Sequence, residues 1–162
     1  MDVDDRFYFA DVANAAVFYR EQPDEDTKNP EMQILIKDYE GMPLKGPCSI
    51  SYNKEENSLF VCDSGYFGST SLNTPTGSVF LIDLDTKVCR PILINCLSNP
   101  ADIIFDESTG IAYIVETFSN RILRLIQNPN GVLNTSLFHP ITMHLNLRHD
   151  STDLIRPKYS SK

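Results

Sequence analysis

The 162-residue chain is short of positive charge: 14 Lys and Arg stand against 22 Asp and Glu, a formal net charge of −8. That field opposes a phosphate backbone, and no basic face or basic-aromatic interleaving offsets it, so no nucleic-acid partner is expected. No apolar run approaches the roughly eighteen residues of a membrane helix, so no membrane association is expected either. The stretch Met1-Asp2-Val3-Asp4-Asp5 is acidic where a secretory leader is basic and then apolar, which makes the expected location cytoplasmic. Cys48, Cys62, Cys89 and Cys96 lack CxxC spacing and read as small apolar residues of a reduced core, neither a zinc nor a dithiol site. Cys48 and Cys62 fall on strands expected to pair, which leaves a disulfide open. A glycine-rich phosphate loop, a nucleophile elbow and HExxH are all missing. His139, His144 and His149 recur every five residues, a spacing that neither a helix nor a strand gathers on one face. Asn134-Thr135-Ser136 is a glycosylation tripeptide of the kind that arises by chance.

What the chain does have is short strands. Its apolar fraction of 41% with 22% charged residues places it among globular chains rather than disordered ones. Residues 101–105, 111–115 and 122–125 are runs rich in Ile, Val, Tyr and Phe, separated by Asp106-Glu107-Ser108-Thr109-Gly110 and by Ser119-Asn120-Arg121. Such runs between turn-forming residues read as an antiparallel meander.

The meander repeats. Phe7-Tyr8-Phe9-Ala10-Asp11, Leu59-Phe60-Val61-Cys62-Asp63 and Ala112-Tyr113-Ile114-Val115-Glu116 each end on an acid, spaced 52 (63 − 11) and 53 (116 − 63) residues. Pro47 and Pro100 are also 53 apart (100 − 47) and introduce the preceding strands. A four-stranded unit recurring about every 50 residues is the signature of a β-propeller blade. The expected fold is therefore all-β, a propeller fragment of three four-stranded antiparallel blades at residues 1–40, 46–94 and 99–138, with the first blade lacking its inner strand. Residues 139–162 lose the repeat and turn basic; they are expected to form a disordered tail outside the 1–138 domain. An arc of this kind exposes blade faces and edges, so self-association is expected.

Residues 83–138 resemble the strictosidine synthase-like family, grouped with NHL-repeat and gluconolactonase-type propellers. The resemblance rests on Asp85-Thr86-Lys87, Leu97-Ser98-Asn99-Pro100, Glu116-Thr117 and Asn120-Arg121-Ile122-Leu123-Arg124, continuing through Gly131-Val132 and Ser136-Leu137-Phe138. It implies a six-bladed ring with any site at the channel mouth. That geometry groups Ser49, Asn99, Asp102, the acids Asp11, Asp63 and Glu116, and the long loop 64–77 as candidate ligand-binding residues. Three acids around one mouth suit a hard cation or an amine. The simpler role, which the sequence favours, is that each acid ends a strand and accepts backbone hydrogen bonds.

Gluconolactonase-type relatives place a metal-binding Asn after the Pro that opens the inner strand; here those positions are Cys48 and Ala101. Ala cannot ligate and Cys suits calcium poorly, so no metal and no cofactor are expected, calcium remaining a feature of full-length relatives. The catalytic carboxylate of strictosidine synthase comes from a later blade absent from this chain, so no catalytic residue is assigned. The expectation is a non-catalytic NHL-like segment that binds a protein or small molecule or acts as a scaffold, with a truncated isoform as one form it could take. The alternative is a partial or degenerate enzyme acting on small organic amines, lactones or esters.

Overall fold

A computed structural model describes residues 2–3, 6–23, 29–128 and 132–142. Among these there is no helix, and fourteen strands form three four-stranded antiparallel sheets and one small hairpin. The first sheet orders β1 (Asp2–Val3), β2 (Arg6–Asp11), β3 (Ala16–Glu21) and β4 (Gln33–Ile36). A hairpin of β5 (Asp38–Tyr39) and β6 (Met42–Pro43) follows. The second sheet holds β7 (Pro47–Asn53), β8 (Ser58–Asp63), β9 (Gly77–Asp83) and β10 (Cys89–Leu97). The third holds β11 (Pro100–Asp106), β12 (Ile111–Glu116), β13 (Arg121–Gln127) and β14 (Leu133–Pro140).

The meanders form where the sequence supplies both ingredients, a run of branched or aromatic residues and a turn able to reverse the chain. Asn57, Lys87, Gly110 and Asn120 close their turns at φ of 43°, 57°, 67° and 46°. Gly and Asn are the residues that reach this left-handed region at least cost. Within the first three of these turns a carboxylate or amide accepts amides that the bend leaves unpaired: Asn53 from Glu55 and Glu56, Asp83 from Asp85 and Thr86, and Asp106 from Ser108.

Burial shows how the sheets stack. In the middle sheet every residue of β8 and the first six of β9 are buried. In the third sheet β12 alternates, with Ala112, Ile114 and Glu116 buried and Ile111, Tyr113 and Val115 only partly so. A strand buried on both faces loses the period-two pattern that a strand buried on one face keeps. The middle blade is therefore sandwiched, and the outer two each leave one face open. One core lies between the first and second blades, where Tyr8, Val17 and Tyr19 meet Leu59, Val61, Phe80 and Ile82. A second lies between the second and third, where Phe60, Cys62, Val79 and Leu81 meet Ile103, Ala112, Ile114, Leu123 and Leu125. Phe60 stacks on Phe105 across that junction, centroids 5.4 Å apart.

Three details depart from the sequence reading. The inner position of the first blade, expected to be empty, holds the two-residue β1, paired with β2 through Asp2↔Phe7 and Val3↔Arg6. Residues 38–43 form an unexpected hairpin, which turns at Glu40 and Gly41 with φ of 51° and 78°. His139 and Pro140, assigned to the tail, belong to β14 and pair with Ile122 and Arg121. Pro is tolerated there because β14 lies at the sheet edge, where a missing N–H costs no ladder bond. The rest of the expected tail, 143–162, lies outside the described residues. None of the described residues forms a helix long and apolar enough to cross a membrane.

Candidate functional site

The residues expected at the channel mouth sit on the inner strands, at the ends of the second strands, and in the loops above them. Asp63 ends β8 and is 2% exposed. One carboxylate oxygen accepts Gly46 N at 2.8 Å and Gly65 N at 2.9 Å, and the other accepts Lys45 N at 2.8 Å. Glu116, the repeat equivalent at the end of β12, is fully buried. Its Oε1 accepts Ser98 N at 2.6 Å and its Oε2 pairs with Arg121 Nε. Asp11, at the end of β2, is more open; it accepts Ala13 N at 2.9 Å, Asn14 N at 3.1 Å and Asn14 Nδ2 at 2.7 Å. Those bonds, the Asn14 side chain foremost, hold its pKa below the usual carboxylate value. Each acid is spent on its own blade. Asp63 and Glu116 tie the segment before the inner strand to the end of the second strand, and Asp11 folds the turn that follows it.

A different pair joins two blades. Ser49 on β7 donates its hydroxyl to Asp102 Oδ1 on β11 at 2.5 Å, and that oxygen also accepts Ile103 N at 2.9 Å. Two residues along, Ser51 Oγ accepts Phe105 N at 2.8 Å. The innermost strands, which share no ladder, are thus held by serine hydroxyls. Asn99 stands apart from this pair. Its carbonyl accepts Thr117 N at 3.1 Å and Thr117 Oγ1 at 2.8 Å, and its φ of 55° is one an Asn accommodates. Of the six sequence candidates, the structure directly joins only Ser49 and Asp102 by a hydrogen bond among the described contacts. No group of three or more His, Cys, Asp or Glu able to hold a metal ion is formed by the described residues.

Cys48 lies in a β-bulge, the ladder stepping from Pro47↔Asp63 to Ser49↔Cys62. Its thiol reaches the carbonyls of Cys62 and Pro100, each at 3.4 Å. The two sulfurs are free thiols. A hydrogen bond to Cys48, together with full burial, pushes the Cys62 thiol well above its ordinary value, and the same contact lowers Cys48. Cys89 is pushed up to about 11 by burial.

Loop 64–77 is built rather than slack. Ser98 Oγ donates to Ser71 O at 3.2 Å, Thr76 N to Thr70 Oγ1 at 3.2 Å, and Ser71 and Thr74 hydroxyls meet at 2.7 Å. Gly65, at φ 85°, packs where a Cβ would lie 2.2 Å from Thr76 Oγ1. Above these anchors Tyr66, Phe67 and Leu72 are exposed, Phe67 completely. Lys45, which the sequence did not single out, reaches this loop, its ammonium 5.7 Å from the Tyr66 ring centroid and bonded to Asn95 Oδ1. No local signal marked it, because Asn95 lies 50 residues away.

No protein-family model matches the chain, and no curated protein sequence matches it. Solved structures do. An X-ray structure of a protein designated a gluconolactonase superposes with a TM-score of 0.66 and 18% identity, over 85% of this chain and 47% of that one. A chain from the crystal structure of a nidogen/laminin complex gives 0.57 and 12%, over 80% and 42%. A protein from Lactobacillus plantarum gives 0.57 and 12%, over 82% and 36%. The chain thus has a β-propeller fold, as these structures do. It spans less than half the length of these structures.

Proposed function

We propose that this propeller segment binds or scaffolds and is not itself catalytic, with its contact surface at the mouth around loop 64–77. The observation that carries the reading is the engagement of Asp63 and Glu116: their carboxylate oxygens are taken up by backbone N–H groups and Arg121. A buried carboxylate already satisfied in this way has little capacity left for a substrate or cation. The loop supports the binding half of the proposal, because exposed aromatic residues on an anchored scaffold are what protein contacts use.

A second reading is a segment of a strictosidine synthase-like or gluconolactonase-like enzyme acting on lactones, esters or amines. One observation favours it, the half-buried Ser49–Asp102 pair on the inner strands. The two are separated by assaying lactone and ester hydrolysis with and without calcium. The binding reading expects no turnover above the buffer rate. Turnover that Asp102→Asn abolishes, in a protein that still melts cooperatively, would establish the enzyme reading instead.

A further inference from the structure

The two open blade faces are the two halves of an interface the chain already makes twice. The repeat register aligns Asp63 with Glu116 and Asp11, and Ser78 with Arg121 and Ala16, since each is the partner across the second and third strands. In that register the middle blade packs on the third through Phe60, Cys62, Val79 and Leu81. The matching positions of the third blade are Tyr113, Val115, Ile122 and Arg124, which face away from the middle blade. With Asp102, Ile104 and Phe138, three of these line a shallow apolar concavity of about 280 Å³. Ile104 is 59% and Phe138 51% exposed.

At the other end, the middle blade packs on the first through Leu59, Val61, Phe80 and Ile82. The matching positions of the first blade are Phe7, Phe9, Phe18 and Arg20, on the side away from the core. Phe9 is 39% exposed and Arg20 sits over Phe7 at 6.0 Å.

We propose that these faces are complementary and that two copies of this chain associate head to tail, the third blade of each on the first blade of the other, closing one ring. The occupant follows from continuity: each open face repeats in register a face that this chain buries against the opposite kind, save that Arg124 and Arg20 stand where the buried faces carry Leu81 and Ile82. A heterologous contact closes into a ring only when its rotation divides a full turn and otherwise propagates into open polymers. The proposal rests on the propeller fold and not on any ligand at the mouth.

The test uses the full chain and measures mass by sedimentation or light scattering. Wild type is expected at twice 18.3 kDa, dissociating on dilution. Phe9→Asp disables one face and Ile104→Asp the other, so each variant alone is expected to be monomeric. Mixing them leaves one intact pairing and is expected to restore a weaker 1:1 dimer. That recovery also shows that both variants fold. A wild type that stays monomeric to high concentration, or grows into polymers, overturns the proposal. So does a Phe9→Asp protein that dimerises like wild type, or a mixture of folded variants that fails to associate.

Discussion

Ser49 and Asp102, 53 residues apart in sequence, meet at 2.5 Å across the junction of the second and third blades. The separation matches the repeat itself, so one position of the blade bonds to its own copy in the next. Ser49→Ala removes the donor to Asp102 and leaves the carboxylate only Ile103 N among its described bonds. A loss of about 1–2 kcal/mol is expected, the size of one or two net hydrogen bonds. Urea denaturation read by far-UV circular dichroism measures it, and Ser51→Ala, which frees Phe105 N, should give a similar loss.

Gly77 begins β9 where the third blade comes closest. An added Cβ would lie 2.3 Å from Pro100 Cδ and 2.8 Å from Leu97 O, and neither a ring nor a backbone carbonyl yields cheaply. Gly77→Ala is expected to cost about 1–3 kcal/mol, the range for overpacking. Gly68, at φ 78° with open space around its missing Cβ, carries only the backbone penalty, so Gly68→Ala should cost about 1 kcal/mol. Comparing their denaturation midpoints separates crowding from strain.

Stability should fall in acid through three turns. Asp11 is held below its ordinary pKa of 3.8 chiefly by the Asn14 side chain, Asp83 by Thr86 N, and Asp106 by the Ser108 side chain. A carboxyl depressed in the folded state binds fewer protons than when unfolded. Its contribution is therefore present above the unfolded value and lost as pH falls through the folded one. Urea midpoints are expected to change little on account of these groups between about pH 7 and 5, and to drop below about pH 4. Asp106→Asn should make that acid limb shallower.

Three of the four thiols should react in a fixed order. Cys62 is fully buried with its pKa raised, Cys89 is raised to about 11, and Cys48 is lowered. Because thiolate fraction and access set the rate, iodoacetamide at pH 8 is expected to label Cys48 ahead of Cys89, with Cys62 reacting only after unfolding. Peptide mass spectrometry over a time course reads the order directly.

Much of this architecture was visible in the sequence because each blade restates it. The second strands, their terminal acids, and the turns closed by Asn57, Gly110 and Asn120 all follow from local residue choice, and the structure places them where the pattern does. That the acids accept backbone hydrogen bonds was legible too, but most of the partners were not. Asp63 reaches Lys45 and Gly46, 18 and 17 residues earlier, and Glu116 reaches Ser98, 18 earlier; such bonds depend on register across a bulged ladder. Short or edge elements escaped for a different reason. Two-residue strands such as β5 and β6 have no periodicity to detect, and Pro140 in β14 reads as a breaker unless the strand is known to lie at an edge. Ser51, whose hydroxyl serves the next blade, has no feature that distinguishes it from any other strand serine.

The central claim is that the mouth acids fasten the blades and do not hold a ligand. Thermal melting of wild type, Asp63→Asn and Glu116→Gln, each with and without millimolar calcium, tests it most directly. The account predicts that both substitutions lower the melting temperature in the absence of calcium and that calcium shifts none of the three. A site occupied at a hundredfold excess over its Kd would stabilise the fold by about 2.7 kcal/mol. A calcium-dependent rise in wild type that vanishes in Asp63→Asn or Glu116→Gln would contradict the account.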